Sequence, residues 1–150
     1  MYPTPAHGLT DCVEAALDFH LAGESGTQCA FVFSAIVAAE FQVKQAVNDL
    51  PLRNFIVLPF NIDHAMRTGI LMRDLSRDDG DDRVAVKDDM KLIAQADCES
   101  ITHVLTEDKN TLAKYLDRLR QAGSCKVRAI VLSQGFDAAW LNNGQAEIPQ

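Results

Sequence analysis

Cys29-Ala30-Phe31-Val32-Phe33-Ser34-Ala35-Ile36-Val37-Ala38-Ala39-Glu40-Phe41 is the stretch on which the fold turns. Its first five residues form an unbroken apolar run, the pattern of a short strand buried on both faces. Ser34 then offers a hydroxyl to cap a helix, and the Ala-, Val-, Gln- and Lys-rich sequence sustains that helix to about Asp49. Pro51 stops it by removing a backbone donor. A strand feeding directly into a helix opens a parallel strand–helix–strand unit.

The same alternation continues along the chain. Residues 55–58 read as a second strand, followed by a helix starting between Asn61 and Asp63 with Ala65, Ile70 and Leu71 facing inward. Residues 76–82 form a polar stretch that resembles a calcium loop in composition only. With Gly80 at the sixth loop position, Leu75 and Arg77 fall where oxygen ligands are required, so a solvated turn is expected. Asp88 or Asp89 is expected to open the next helix, with Leu92, Ile93 and Ala96 on its apolar side. Residues 103–105 read as a third strand running into Thr106-Glu107-Asp108. Leu112, Tyr115, Leu116 and Leu119 mark an amphipathic helix closed by Gly123, its stripe being core or dimer interface. Residues 127–132 read as a fourth strand. Upstream, Thr10 begins a helical pattern through Val13, Ala16, Leu17 and Leu21. Downstream, residues 135–150 form a C-terminal tail in which Phe136, Trp140 and Leu141 are expected to fold back as a cover. The expected class is α/β, one domain over residues 1–150, with a mostly parallel sheet of about four visible strands faced by helices.

Composition narrows the function. The chain has 150 residues, 47% of them hydrophobic, enough for one buried core and too apolar for disorder throughout. No apolar run reaches the roughly 18–20 residues of a membrane span. The first eight residues carry no basic region followed by an apolar stretch, so no secretory signal is expected and a cytoplasmic location is. A net charge of −7 argues against a broad phosphate-binding surface, although a metal can bridge acids to nucleic acid. Cys12, Cys29, Cys98 and Cys125 are widely spaced and read as small buried thiols; Cys98 and His103 lack further ligands for zinc.

Other chemistries find little support. Ser34 lies in no nucleophile elbow, and no phosphate-cradling glycine loop is present. His20, His64 and His103 have no triad partner at telling distance and read as structural or exposed. Asp63, Asp97 and Glu99 read as surface charges. A phosphate-accepting receiver domain needs clustered acids after its first strand and a Lys after its last, where Gln134 stands.

Three acids remain at the carboxyl ends of strands or on the helices that follow, where open α/β sheets place their sites. Glu40 follows the first visible strand, Asp89 lies in Asp89-Met90-Lys91-Leu92-Ile93-Ala94-Gln95-Ala96, and Asp108 ends the third. Like charges gathered from distant parts of a chain need a counter-charge, and Mg²⁺ or Mn²⁺ suits oxygen donors. The bland reading of Asp89 and Asp108 is helix capping, with Asp88 able to cap while Asp89 serves a site.

These segments resemble the PIN-domain family of metal-dependent ribonucleases, which includes toxins of bacterial toxin–antitoxin pairs. Residues 34–41 look like the family's strand-then-helix segment with its second acid. Residues 89–96 look like its Asp-x-x-Ile-x-Ala-x-Ala helix, with Leu92 in the Ile place, and Thr106-Glu107-Asp108 looks like its Thr-x-Asp turn. The resemblance spans residues 28–123. It implies a three-layer α/β/α fold, metal-dependent RNA hydrolysis, and Glu40, Asp89 and Asp108 as metal-binding catalytic acids. Thr106, Asn110 and Asp88 are secondary candidates, and Arg73, Arg77, Lys87 and Lys91 are cations that steer the RNA backbone. An antitoxin protein and a homodimer are implied partners. The family also opens with a central strand ending in Asp, placed between the strands at 29–33 and 103–106. The first ten residues here show neither that strand nor an acid, and Asp11 follows Thr10 at a helix start. The chain therefore reads as a PIN-like domain incomplete at its N-terminus, with loss of activity or a different fold as the alternatives. A non-catalytic PIN-like interaction module is the opposing functional reading, its open sheet edges available to a partner strand.

Overall fold

The computed structural model describes residues 30–135 and 137. The expectations for Thr10 to Leu21, Cys12, Cys29, His20 and the tail residues Phe136, Trp140 and Leu141 lie outside these residues. Among the described residues the architecture is α/β, with four helices and four short parallel strands in two two-stranded sheets. Each sheet belongs to one strand–helix–strand unit. In the first, β1 (Val32–Ser34) leads into α1 (Ala35–Lys44) and returns as β2 (Ile56–Leu58), with Val32 opposite Ile56 and Ser34 opposite Leu58. In the second, β3 (His103–Thr106) leads through α4 (Leu112–Gln121) to β4 (Arg128–Val131), with His103 opposite Arg128 and Thr106 opposite Val131. A helix pair joins the units: α2 (Ile62–Asp74) and α3 (Arg83–Cys98), which pack on each other. Among the described residues no ladder bond connects β1 or β2 to β3 or β4.

Local chemistry sets most boundaries. Ser34 caps α1 by accepting from the Ile36 N–H at 3.1 Å. That helix ends at Lys44 and not near Asp49, because the Gln42 side chain accepts the Val47 N–H at 2.9 Å and the chain tightens into a short 3₁₀ turn, Val47–Asp49. The start of α3 lies further upstream than Asp88 or Asp89. Asp82 is its N-cap, accepting from the Val84 and Ala85 amides at 2.7 and 3.4 Å, so Asp88 and Asp89 sit in the second turn. Two helices end in the same six-to-one closure. Ser124 N–H donates to Leu119 O and Gly123 to Arg120 O at the end of α4, where Gly123 has φ 74°. Ile101 N–H donates to Ala96 O and Ser100 to Asp97 O at the end of α3, with Ser100 at φ 57° in a conformation costly for a side chain.

Among the described residues the core gathers around α2, α3, α4 and β4. Leu71 of α2, Met90 and Ile93 of α3, Tyr115, Leu116 and Leu119 of α4, and Ile130 of β4 are all within 1% of full burial. The amphipathic stripe of α4 is therefore core. By contrast α1 buries no residue fully, and Ile56 and Val57 of β2 are half-exposed. On α2 the inward face is His64, Thr68 and Leu71, while Ala65 and Ile70 point out. Two polar residues sit inside because both are satisfied. Thr68 Oγ1 donates to His64 O at 2.7 Å, and His64 Nδ1 accepts from Asn61 N–H, leaving Nε2 to donate to Glu99 at 2.8 Å.

Glu99 lies at the surface as expected yet holds His64, and Asp97 is half-buried with a partner of its own. Arg67 of α2 pairs with Asp97 at 2.7 Å and donates to Ser124 O, tying α2 to the far end of α3 and to the turn before β4. The loop at 76–82 is likewise no free solvated turn. Lys114 bonds Asp78 and Asp81, Arg118 holds Asp78 with both terminal nitrogens, and the Tyr115 hydroxyl donates to Asp81 while accepting from the Asp78 amide. Bonds from Arg118, then Lys114, hold the Asp78 carboxyl down at about 2. Of the two described cysteines Cys125 is buried as expected, whereas Cys98 is exposed. No described helix is long and apolar enough to cross a membrane.

Candidate functional site

The carboxyl ends of β1 and β3 lead to the same place. Glu40 lies on α1, two turns beyond the end of β1, and Asp108 lies two residues beyond the end of β3. Both act through space on Asp89 of α3. Burial raises the Asp89 carboxyl to about 6; the Thr111 hydroxyl opposes this, and the charges of Asp108, Glu40 and Asp88 push it further up. Asp89 Oδ2 is buried with no hydrogen-bond partner among the described residues. Because α3 starts at Arg83, capping does not explain this side chain.

Asp108 is held quite differently. Thr106 Oγ1 accepts the Asp108 N–H at 2.9 Å. The Asp108 carboxylate accepts from the Asn110 and Thr111 amides, each at 2.8 Å, and from the Thr111 hydroxyl at 2.5 Å. Burial works against its charge, yet the Thr111 hydroxyl and the two amides outweigh it and keep the carboxyl below its ordinary value. Asp108 therefore does serve the turn into α4, and it stays ionised while Asp89 is driven toward protonation. A helix acid pushed up beside a strand-end acid held down is an arrangement that working sites use to separate the roles of two carboxyls.

Asp88 pairs with Lys91 at 2.7 Å along α3. Glu40 is exposed, and with Asp88 and Lys91 it lines a cavity of about 360 Å³ walled also by Ala35, Ala39 and Phe60. Arg77, read as a steering cation, bonds the Asp78 and Asp81 carbonyls of its own loop. Asn110 meets Asp108 through its backbone amide.

The donor chemistry suits Mg²⁺ or Mn²⁺, and the unpartnered Asp89 oxygen is a buried lone pair without a donor. Among the described residues, however, no three His, Cys, Asp or Glu side chains are arranged to hold one ion. Mg²⁺ is commonly bound through one or two carboxylates completed by water and substrate phosphate, so this set fits such an ion without a full protein cage.

Two further contributors carry little signal in the sequence. Thr111 touches Asp108 and acts on Asp89; its place three residues after Asp108 at a helix start is the spacing of a capping contact and was the available signal. Gln95, buried in α3, donates to Leu58 O and Pro59 O at 3.3 and 3.0 Å and so fastens the end of β2 to the helix bearing Asp89. No sequence pattern announces that contact. Comparison of the chain with protein-family models, curated proteins and solved structures found no match.

Proposed function

We propose that this acidic end binds Mg²⁺ or Mn²⁺ and hydrolyses RNA phosphodiester bonds, in a PIN-like three-layer fold. The observation that carries the reading is the buried, unpartnered Asp89 Oδ2 in the field of Asp108, Glu40 and Asp88. In this reading Asp89 and Asp108 hold the ion, Thr106 and Thr111 fix Asp108 for it, and Glu40 accepts a proton from the attacking water. When bound, the ion supplies Lewis acidity at the phosphate and a lowered pKa for its water. The positive charge that the −7 chain lacks as a surface would then be concentrated at one point. The division of the strands into two separate pairs supports a PIN-like sheet whose central strand is not among the described residues. RNA as substrate, an antitoxin protein and a second copy as partners, and a cytoplasmic setting belong to the same proposal.

The test is cleavage of single-stranded RNA by the pure protein in Mn²⁺, with an excess of chelator as control. Asp89→Asn with Asp108→Asn should abolish the chelator-sensitive activity; undiminished cleavage by the folded double variant refutes the assignment.

A second reading, a non-catalytic interaction module of PIN-like topology, draws on a different observation. Ile62, Met66 and Ile70 form an exposed apolar stripe at helical spacing along α2. A folded protein that binds no Mn²⁺ would favour it.

A further inference from the structure

We propose that Gln95 is a positioning residue for Glu40: by clamping the end of β2 to α3, it sets where the α1 carboxylate stands relative to Asp89 and Asp108. The inference deepens the hydrolytic reading above, in which Glu40 takes a proton from the attacking water, and it rests on that reading. The acids of that site come from different parts of the fold. Glu40 belongs to the first strand–helix–strand unit, through α1, whereas Asp108 follows β3 of the second and Asp89 lies on α3. Among the described residues no ladder bond joins the two strand pairs, and α1 buries no residue fully. Neither a shared sheet nor a fully enclosed side chain of α1 therefore fixes Glu40 against the other two acids.

Gln95 supplies a fixed link. It is 2% exposed on α3, and its Nε2 donates to Leu58 O at 3.3 Å and to Pro59 O at 3.0 Å. One amide group thus gives a hydrogen to each of two consecutive carbonyls at the point where β2 ends. The path from there to Glu40 is short and made of hydrogen bonds. Leu58 lies opposite Ser34 in the parallel ladder, and the Ser34 hydroxyl accepts from Ile36 N–H at 3.1 Å at the start of α1. Glu40 stands one turn further along that helix. Moving the end of β2 away from α3 would carry Ser34, α1 and Glu40 with it. A buried amide that lost its carbonyls would be left unsatisfied, so the clamp resists that movement. Displacing a reacting group by about 1 Å is enough to cost up to about a hundredfold in rate.

Gln95→Met keeps the length of the side chain and removes both donors. Amide residual dipolar couplings read the result without metal or RNA. In the wild type, residues 32–58 and 62–134 should fit one common orientation. In Gln95→Met that common fit should be lost while each part keeps its own. With RNA and Mn²⁺, Gln95→Met should lower kcat about tenfold to a hundredfold and leave Mn²⁺ affinity unchanged, since Asp89 and Asp108 hold the ion. Glu40→Gln should then cost much less in the Gln95→Met background than alone, which lost stability by itself would not produce. One check needs no variant and decides the case if Gln95→Met does not fold: both Gln95 Nε2 hydrogens of the wild type should be protected from exchange with water. Gln95 hydrogens that exchange as freely as those of an exposed amide, a common orientation that survives in Gln95→Met, or full additivity of the two substitutions in kcat overturns the inference. Absence of chelator-sensitive cleavage by the wild type overturns the hydrolytic reading instead, and the couplings and the exchange still decide the clamp.

Discussion

Replacing Asp89 with Asn should make the metal-free protein more stable at pH 8, and the gain should disappear in acid. The folded state holds the Asp89 proton more tightly than the unfolded chain, about 6 against 3.8. The penalty for ionising it in the fold is therefore fully present above about pH 6, fades as pH falls through that value, and is gone below about pH 4. At about 1.4 kcal/mol per pKa unit the displacement corresponds to roughly 3 kcal/mol. Solvent screens a carboxyl that is only half-buried, so about 1–2 kcal/mol is the expected gain. For a chain of this length that is a rise of roughly 2–8 °C in melting temperature. The assay is thermal unfolding of both proteins at pH 8, 6 and 4 with chelator present, followed by the same scans in Mn²⁺. Mn²⁺ should raise the wild-type curve and leave Asp89→Asn where it was. A variant that melts lower at pH 8, or a gain of equal size at pH 4, would refute the argument from the buried Asp89 carboxyl.

Other consequences concern the frame that holds the site. Gln95→Leu removes the donor to Leu58 O and Pro59 O and should cost about 1–2 kcal/mol, read by urea unfolding. Ser100→Gly relieves a side chain at φ 57° and should raise stability by about 0.5–1 kcal/mol, because the freedom of the unfolded glycine offsets part of the gain. Tyr115→Phe cuts the bonds to Asp81 and from Asp78, and should cost about 1–2 kcal/mol while speeding amide exchange across residues 76–82; unchanged exchange contradicts the latch.

How much of this could be read from the chain varies with the kind of contact. Ser34 and the stripe Leu112, Tyr115, Leu116 and Leu119 announce their elements because capping and burial are local patterns, whereas the apolar run before Ser34 yields a strand, Val32–Ser34, that is only half-buried and not enclosed on both faces. The helix α2 shows the limit. Ile62, Met66 and Ile70 repeat at helical spacing as well as His64, Thr68 and Leu71 do, yet the second set is inside. Partners decided this: Glu99 and the Asn61 amide satisfy His64, and the His64 carbonyl satisfies Thr68. The doublet at Asp88 and Asp89 imitates in sequence the cap of α3 that Asp82 provides in the fold. Nor does the acidic composition of residues 76–82 reveal Lys114 and Arg118, more than thirty residues further on. Glu40, Asp89 and Asp108 stand out by their places at strand ends and on the helices that follow, and their roles come from the resemblance of those segments to a family. Their separate environments, one acid pushed up by burial and one tightly held, depend on contacts between distant parts of the chain.

The central claim is that Asp89 and Asp108 together bind a hard divalent cation, and Mn²⁺ titration followed by electron paramagnetic resonance tests it most directly. The free-ion signal should fall as wild-type protein binds Mn²⁺, with Mg²⁺ competing, and should be unaffected by folded Asp89→Asn, Asp108→Asn protein. A wild-type titration that leaves all Mn²⁺ free, or a double variant that binds it equally well, contradicts the account.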